Sequence, residues 1–248
     1  MIQVTNLSKH FTDKKLGLIK AVDNVNFTCT ASRIFGLLGP NGAGKTTTLR
    51  MIATILNPTG GMIKVGGFDT VSQSDKVRNL IGFLTGDTGL YDRMTGRETL
   101  YYFGKLYGFG NDEIRQQLEK LSEQFGLADF IDRRVGMMST GMKQKISLAR
   151  TMIHNPRVLI LDEPTTGLDI ITTRNIVNFI HHCRDEGKCI LFSTHIMYEA
   201  EALCDEIAFI NKGRILDCGS AAELKMRYKQ TNLEDVFFNL MGVSNETH

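Results

Sequence analysis

Apolar residues recur along this chain with two different periods. Ile2 and Val4 alternate with polar neighbours, as do Val25, Phe27 and Cys29, the two-residue repeat of strands with one buried face. Gly60-Gly61 and Gly66-Gly67 bracket another strand at Met62–Val65, and Ile81–Leu84 is a short apolar run of the same kind. Beyond residue 94 the repeat lengthens. Thr95-Gly96-Arg97-Glu98 has capping-box spacing, and Leu100, Phe103, Gly104 and Tyr107 then follow one helical stripe. Ile114, Leu118, Leu121 and Phe125 make a second amphipathic helix, so residues 95–155 are expected to form a helical insertion. Strands and helices then alternate. Val158–Leu161 is a wholly apolar strand, a helix runs from about Thr172 to Asp185, and Cys189–Phe192 is a further strand. Ile207–Ile210 and Arg214–Leu216 flank a turn at Lys212-Gly213, and Ser220-Ala221-Ala222-Glu223 opens a helix with a second capping box. Buried strands interleaved with helices predict an α/β fold with a mostly parallel sheet, to which the N-terminal strands add an antiparallel one.

One stretch defies its local propensities. GPNGAGKTTTLR follows the apolar run Ile34–Leu38, placing three glycines and three threonines where a strand gives way to a helix. Glycine costs about 1 kcal/mol in a helix, so something other than local stability selects it. Gly39, Gly42 and Gly44 permit torsions that turn successive N–H groups inward around an anion, and the following helix adds its own unsatisfied amides. Lys45 supplies a mobile charge for phosphates, and Thr46 a hydroxyl for Mg²⁺. This is the G-x-x-x-x-G-K-[ST] phosphate loop, with Leu49, Ile52, Ala53 and Leu56 at helical spacing behind it. A second acidic site lies at the end of the Val158–Leu161 strand, where Asp162 is placed to hold Mg²⁺ and Glu163 to orient or deprotonate a water.

Composition narrows the partners. The 248 residues are 42% hydrophobic, enough for a large core, and a net charge of +2 gives no reason to expect nucleic acid. No apolar run approaches the length of a membrane span, and MIQVTNLSKH lacks a signal peptide's apolar stretch, so the chain is expected to stay in the cytosol. Cys29, Cys183, Cys189, Cys204 and Cys218 form no C-x-x-C pair and are expected to be small core residues in a reducing compartment. His181-His182-Cys183 suggests a metal only superficially. Cys183 shares an inward face with Ile176, Phe179 and Ile180, and no further ligand has suitable spacing.

Three more segments carry a family resemblance. Ser139-Thr140-Gly141-Met142-Lys143-Gln144 resembles the signature of ATP-binding cassette (ABC) proteins, Gly167-Leu168-Asp169 their D-loop, and Ser193-Thr194-His195 their switch histidine. All occur in the family's order, and the resemblance covers nearly the whole chain. It implies a P-loop NTPase core with a mostly parallel sheet, an N-terminal antiparallel β-subdomain and an inserted helical signature subdomain. Residues 1–94 and 156–219 would form the core with its β-subdomain, 95–155 the helical subdomain and 220–248 a helical extension.

The resemblance also implies a mechanism. ATP with Mg²⁺ would sit on Gly39, Pro40, Asn41, Gly42, Ala43, Gly44, Lys45, Thr46 and Thr47 of one subunit, with Asp169 nearby. Ser139 and Gly141 of a second copy would close over it in a homodimer. Thr46 and Asp162 would serve the metal, Glu163 the lytic water, and His195 the γ-phosphate. Phe11 stands at the aromatic position that stacks on adenine, or is a strand-end core residue. Where the family has glutamine this chain has Gly86, leaving the adjacent Asp87, or a water, to replace its metal contact.

The aromatic stretch Tyr91, Tyr101, Tyr102, Phe103, Tyr107 and Phe109 follows the loop that faces membrane subunits in the family. It is partly core and partly a candidate groove for a partner's helix. Separate multi-span membrane subunits are therefore implied, with this chain peripheral on the cytoplasmic face. The signature variant and Leu233-Glu234-Asp235-Val236-Phe237 resemble two-component exporters, the sodium-extruding type most closely. Export of Na⁺ or another small cation is the expectation, with drugs or polysaccharides, or a soluble mechanical ATPase, as alternatives.

Overall fold

The computed structural model describes residues 1–15, 17–86 and 89–242. Strands β1 (Ile2–Asp13) and β2 (Gly17–Cys29) form the antiparallel pair that the N-terminal alternation predicts. Next, β3 (Arg33–Leu38) runs into α1 (Lys45–Ile52), and β4 (Gly60–Val65) pairs with β1 and with the two-residue β5 (Phe68–Asp69). Helix α2 (Ser74–Leu80) leads into β6 (Ile81–Leu84). The inserted block holds α3 (Gly96–Leu106), α4 (Asn111–Phe125) and α5 (Thr140–Met152). Alternation resumes with β7 (Val158–Asp162), α6 (Ile170–Asp185), β8 (Cys189–Thr194) and α7 (Met197–Leu203). The hairpin β9 (Glu206–Asn211) and β10 (Arg214–Gly219) and the helices α8 (Ala221–Tyr228) and α9 (Leu233–Leu240) complete the described chain.

These strands make a four-stranded sheet, β2-β1-β4-β5, and a six-stranded sheet, β10-β9-β3-β8-β7-β6. The second is parallel except for β10 at its edge. Register decides where chemistry can gather. Leu38 lies opposite Thr194, and Asp162 opposite Ser193, so β3, β7 and β8 end together and release their loops at one carboxyl edge.

Both faces of the parallel sheet are covered, which explains its continuous apolar runs. Val158 and Ile160 of β7 pack with the antiparallel sheet and α1, whereas Leu159 and Leu161 pack with the helical block. Strand β8 divides the same way, with Cys189 and Leu191 on one side and Ile190 and Phe192 on the other. Phe27 stacks on Phe35 at 4.9 Å and joins the two sheets, a contact worth about 0.5–1.5 kcal/mol beyond burial. The predicted capping boxes at Thr95 and Ser220 both form. Lys212 and Gly213 have φ of 47° and 78°, the left-handed pair that a two-residue hairpin turn demands.

The structure departs from the periodic reading at particular places. Helix α1 ends at Ile52 with Ala53 as its cap, so Leu56 is not helical. Thr54 takes a φ of 62°, and the N–H groups of Ile55 and Leu56 both return to the Arg50 carbonyl at 2.9 and 3.2 Å. Leu56 still packs on the core, reached through a turn. Helices α2 and α7, seven residues each, carry no periodic signal because they bury only Val77 and only Ala200 and Leu203. All five cysteines are free. Cys29, Cys183 and Cys189 are buried, while Cys204 and Cys218 are only half-buried.

Candidate functional site

The loop after β3 is shaped by contacts that exclude side chains. Gly42 and Gly44 have φ of 78° and 106°. Gly39 is constrained differently, since a Cβ there would lie 2.1 Å from the Ile210 carbonyl oxygen. Helix α1 opens without a side-chain cap and without an acid in its first turn, so its N-terminal amides are left for an anion. Lys45, 4% exposed, donates to the carbonyls of Gly39 at 2.7 Å and Pro40 at 3.2 Å. It also pairs with Glu163 Oε1 at 3.2 Å.

Two adjoining cavities flank this lysine. One, of about 140 Å³, is lined by Ala21 and Pro40 to Thr47; the other, of about 350 Å³, by Leu84, Thr85, Gly86, Gln144, Asp162 and Thr166. Both include Asn41, Thr46 and Glu163. A cavity of about 410 Å³ between α4, α5 and α6 shares none of these residues and lies away from the chemistry.

Asp162 is buried, and Ser193 Oγ donates to its Oδ1 at 2.5 Å. Its carboxylate and the Thr46 hydroxyl line the same cavity, an all-oxygen donor pair suited to a hard cation such as Mg²⁺. Glu163 holds a left-handed φ of 48°, and its N–H donates to the Ser193 carbonyl at 3.1 Å. Its carboxylate meets Lys45 on one oxygen and His195 Nδ1, at 3.1 Å, on the other, where Thr166 also donates at 3.3 Å. Burial pulls the Glu163 pKa upward, but the His195 hydrogen bond and the Lys45 charge outweigh it and hold the group below its ordinary value. A carboxylate, a lysine, a histidine and an amide-lined cradle thus converge, an arrangement able to bind a polyphosphate and direct a water at it.

Not every expected residue joins this cleft. Ser139 caps α5, accepting from Met142 N at 3.3 Å, and is exposed; neither it nor Gly141 lines the two cavities. Asp169 is likewise exposed and caps α6. Its pKa is lowered by the backbone and side-chain hydrogen bonds of Thr172. Phe11 is 41% exposed on β1, with Lys9 Nζ 5.2 Å from its ring centre, so it is not a core residue. Asp87 lies outside the described residues. At Gly86 a Cβ would meet nothing within 4 Å.

Sequence reasoning missed Glu199. This residue of α7 accepts hydrogen bonds from Thr165 and Thr194, and only its place four residues after His195 hinted at a role. It also missed the contact of Gln144 Nε2 with the Pro164 carbonyl at 2.6 Å.

Of the aromatic stretch, Tyr91, Phe103 and Tyr107 line a separate groove of about 290 Å³ together with Phe83, Arg150 and His154, whereas Tyr101, Tyr102 and Phe109 lie outside it. Phe103 and Tyr107 also pack on the core, as the helical stripe predicts. Tyr107 stacks on His154 at 3.7 Å, and the Arg150 guanidinium lies 5.2 Å from the Phe103 ring centre. Among the described residues no carboxylate pairs with Arg150, and His154 Nδ1 is buried without a partner. His154 Nε2 lies 2.9 Å from the Ile81 carbonyl, which requires that nitrogen to carry the proton. Burial pushes the His154 pKa down to about 4. No helix among the described residues is long and apolar enough to cross a membrane.

Comparison with known proteins bears on this geometry. The ABC transporter family profile matches residues 22–166. The ABC transporter ATP-binding protein NatA of Bacillus subtilis (strain 168) is 47% identical over 247 residues, covering 98% of this chain and 100% of its own length. The daunorubicin/doxorubicin resistance ATP-binding protein DrrA of Streptomyces peucetius is 39% identical, over 83% of this chain and 62% of its own length. A solved dimeric post-hydrolysis state of the ATP-binding cassette MJ0796, bound to ADP and Pi, superposes with a TM-score of 0.81 over 89% of this chain and 98% of its own, at 23% identity.

Proposed function

The chain belongs to the ABC transporter ATP-binding proteins, a family of ATPases, and from that premise we propose that it powers an exporter of Na⁺ or another small cation. The observation that carries the catalytic part is the convergence of Lys45 and His195 on the Glu163 carboxylate at the mouth of the phosphate loop. Thr46 and Asp162 would hold Mg²⁺, whose charge would neutralise phosphate oxygens during transfer. Phosphate oxygens compete for Lys45 and His195. As those contacts leave Glu163, burial raises its affinity for a proton, which turns a stably ionised carboxylate into a general base for water.

Ser139 stands exposed and Gly141 half-buried at the start of α5, outside their own chain's cleft. That placement suits closure over a nucleotide held by a second copy, and MJ0796 is a dimeric cassette of this fold. The groove beside Arg150 suits an amphipathic helix from a separate membrane subunit, which would keep this chain at the cytoplasmic face. The cation reading rests on the resemblance of Ser139–Gln144 and Leu233–Phe237 to sodium-extruding exporters. The match to DrrA supports drug export as the second reading.

The test is nucleotide trapping. Glu163→Gln keeps shape but removes the base, a change expected to slow hydrolysis by about 10²–10⁴-fold. ATP with Mg²⁺ then shifts this variant from monomer to dimer on a sizing column, ADP does not, and adding Ser139→Arg prevents the shift. Absence of trapped nucleotide, even in the complex with the membrane subunit, overturns the assignment. Proteoliposomes of that complex loaded with ²²Na⁺ or daunorubicin decide between the two cargoes.

A further inference from the structure

We propose that Glu199 is a positioning residue for ATP hydrolysis, its carboxylate clamping the loop that carries Glu163 to the loop that carries His195. A single oxygen, Glu199 Oε2, accepts from Thr165 Oγ1 at 2.9 Å and from Thr194 Oγ1 at 3.0 Å. Thr165 follows Glu163 by two residues, and Thr194 immediately precedes His195. Both threonines are buried, at 5% and 2% exposure, so each hydroxyl needs its acceptor. Thr194 Oγ1 accepts in turn from Ile196 N at 3.0 Å, which locks the backbone on the far side of His195. Because one oxygen takes both hydroxyls, neither loop can shift without breaking a bond to the other.

The loop after β7 needs such restraint. A non-glycine residue at φ 48° persists only where its surroundings over-determine it. Three sets of bonds do so here. The Glu163 N–H is taken by Ser193, the Pro164 carbonyl by Gln144 of α5, and the Thr165 hydroxyl by Glu199 of α7. Only the last also reaches the histidine's loop through a side chain of α7. Glu199 therefore sets the Glu163–His195 separation from behind, while the 3.1 Å contact between those side chains faces the cleft. It touches no residue of the phosphate loop, where most of the nucleotide's contacts would lie, so nucleotide affinity should depend on it little.

The inference rests on the ATPase reading above, and the experiment separates the two. Steady-state hydrolysis by the full chain is measured for wild type, Glu163→Gln, Glu199→Ala, Glu199→Gln and Thr165→Val. Displacing a catalytic group by about 1 Å costs about 10²-fold, so Glu199→Ala should lower kcat by about ten- to a hundred-fold with KM for ATP unchanged. Glu199→Gln should restore most of the loss, because its amide oxygen can accept both hydroxyls. Thr165→Val, isosteric and milder for folding, should reproduce part of the kcat loss, again without a change in KM. Wild-type kcat in both Glu199→Ala and Thr165→Val, with Glu163→Gln inactive, overturns the clamp and leaves the ATPase reading standing. Equal impairment of Glu199→Gln and Glu199→Ala also overturns it, as does a loss that appears in KM instead of kcat. A fully active Glu163→Gln overturns the reading on which both rest.

Discussion

The carboxyl edge, where β3, β7 and β8 end together, and the aromatic groove beside β6, α3 and α5 treat charge in opposite ways. At the edge, Lys45, Glu163, His195, Asp162 and Glu199 each have partners within the chain, arranged in a closed web. In the groove, Arg150 is 7% exposed among aromatic side chains, and among the described residues no carboxylate pairs with it and one nitrogen of His154 has no partner. An unpaired buried cation is expensive in a finished protein and reasonable in an unfinished interface. The edge is wired to rearrange around a small charged ligand. On the reading proposed above, the groove would receive a helix that brings its own carboxylate or hydrogen-bond donor.

That contrast breaks most sharply at Lys45. Lys45→Ala removes the cation shared by the phosphate loop and Glu163, and hydrolysis should fall by about 10³-fold or more, with nucleotide binding strongly weakened. Copurification with the membrane subunit should survive, since the groove is untouched. Wild-type ATPase activity in this variant would count decisively against the site. Arg150→Glu is the converse test, with a smaller expected effect. Reversing the charge should reduce capture of the membrane subunit about ten- to a hundred-fold, in line with the cost of a mispaired interfacial charge. ATP-driven dimerisation in a Glu163→Gln background should be preserved. If both properties fail together while the variant remains folded, the two regions are not separable and the comparison is wrong.

How far each region could be foreseen follows from its physics. The edge was legible because its residues are ones that nothing else selects: glycines forced by positive φ or by a carbonyl 2.1 Å away, and acids at the end of an all-apolar strand. The strand faces were legible too, since parity alone sorts Val158 from Leu159. Helices α2 and α7 were not, because seven residues complete barely two turns and bury one or two side chains. Glu199 lay hidden on one of them. Its role depends on Thr165 and Thr194, which are 34 and 5 positions away and meet it only after β7 and β8 pair. The groove was half legible: its aromatic content showed in the sequence, whereas the absence of a carboxylate for Arg150 among the described residues is a fact of packing.

The mildest test uses pH to separate the regions without altering either at neutrality. His154 has a folded pKa of about 4 against about 6.5 in an unfolded chain. Above pH 6.5 it is neutral in both states and contributes no pH dependence. As pH falls below that, the unfolded chain takes up the proton first, so stability drops with a limiting slope of about 1.4 kcal/mol per unit until the folded pKa is reached. Glu163 behaves differently. Its folded pKa lies below the ordinary value of 4.5, so its contribution is complete above pH 4.5 and is lost only as pH falls further, through the folded value. Between pH 6.5 and 4.5 the groove should therefore lose stability while the edge does not. His154→Gln keeps a donor for the Ile81 carbonyl but cannot titrate. Urea unfolding at pH 7 and pH 4.5 should show the wild type losing about 2–3 kcal/mol more than His154→Gln over that interval. Glu163→Gln should track the wild type across the same interval and diverge only at lower pH. Parallel curves for wild type and His154→Gln would mean that water or a protein acceptor reaches Nδ1 and stabilises the protonated ring, and that the groove is as fully satisfied as the edge.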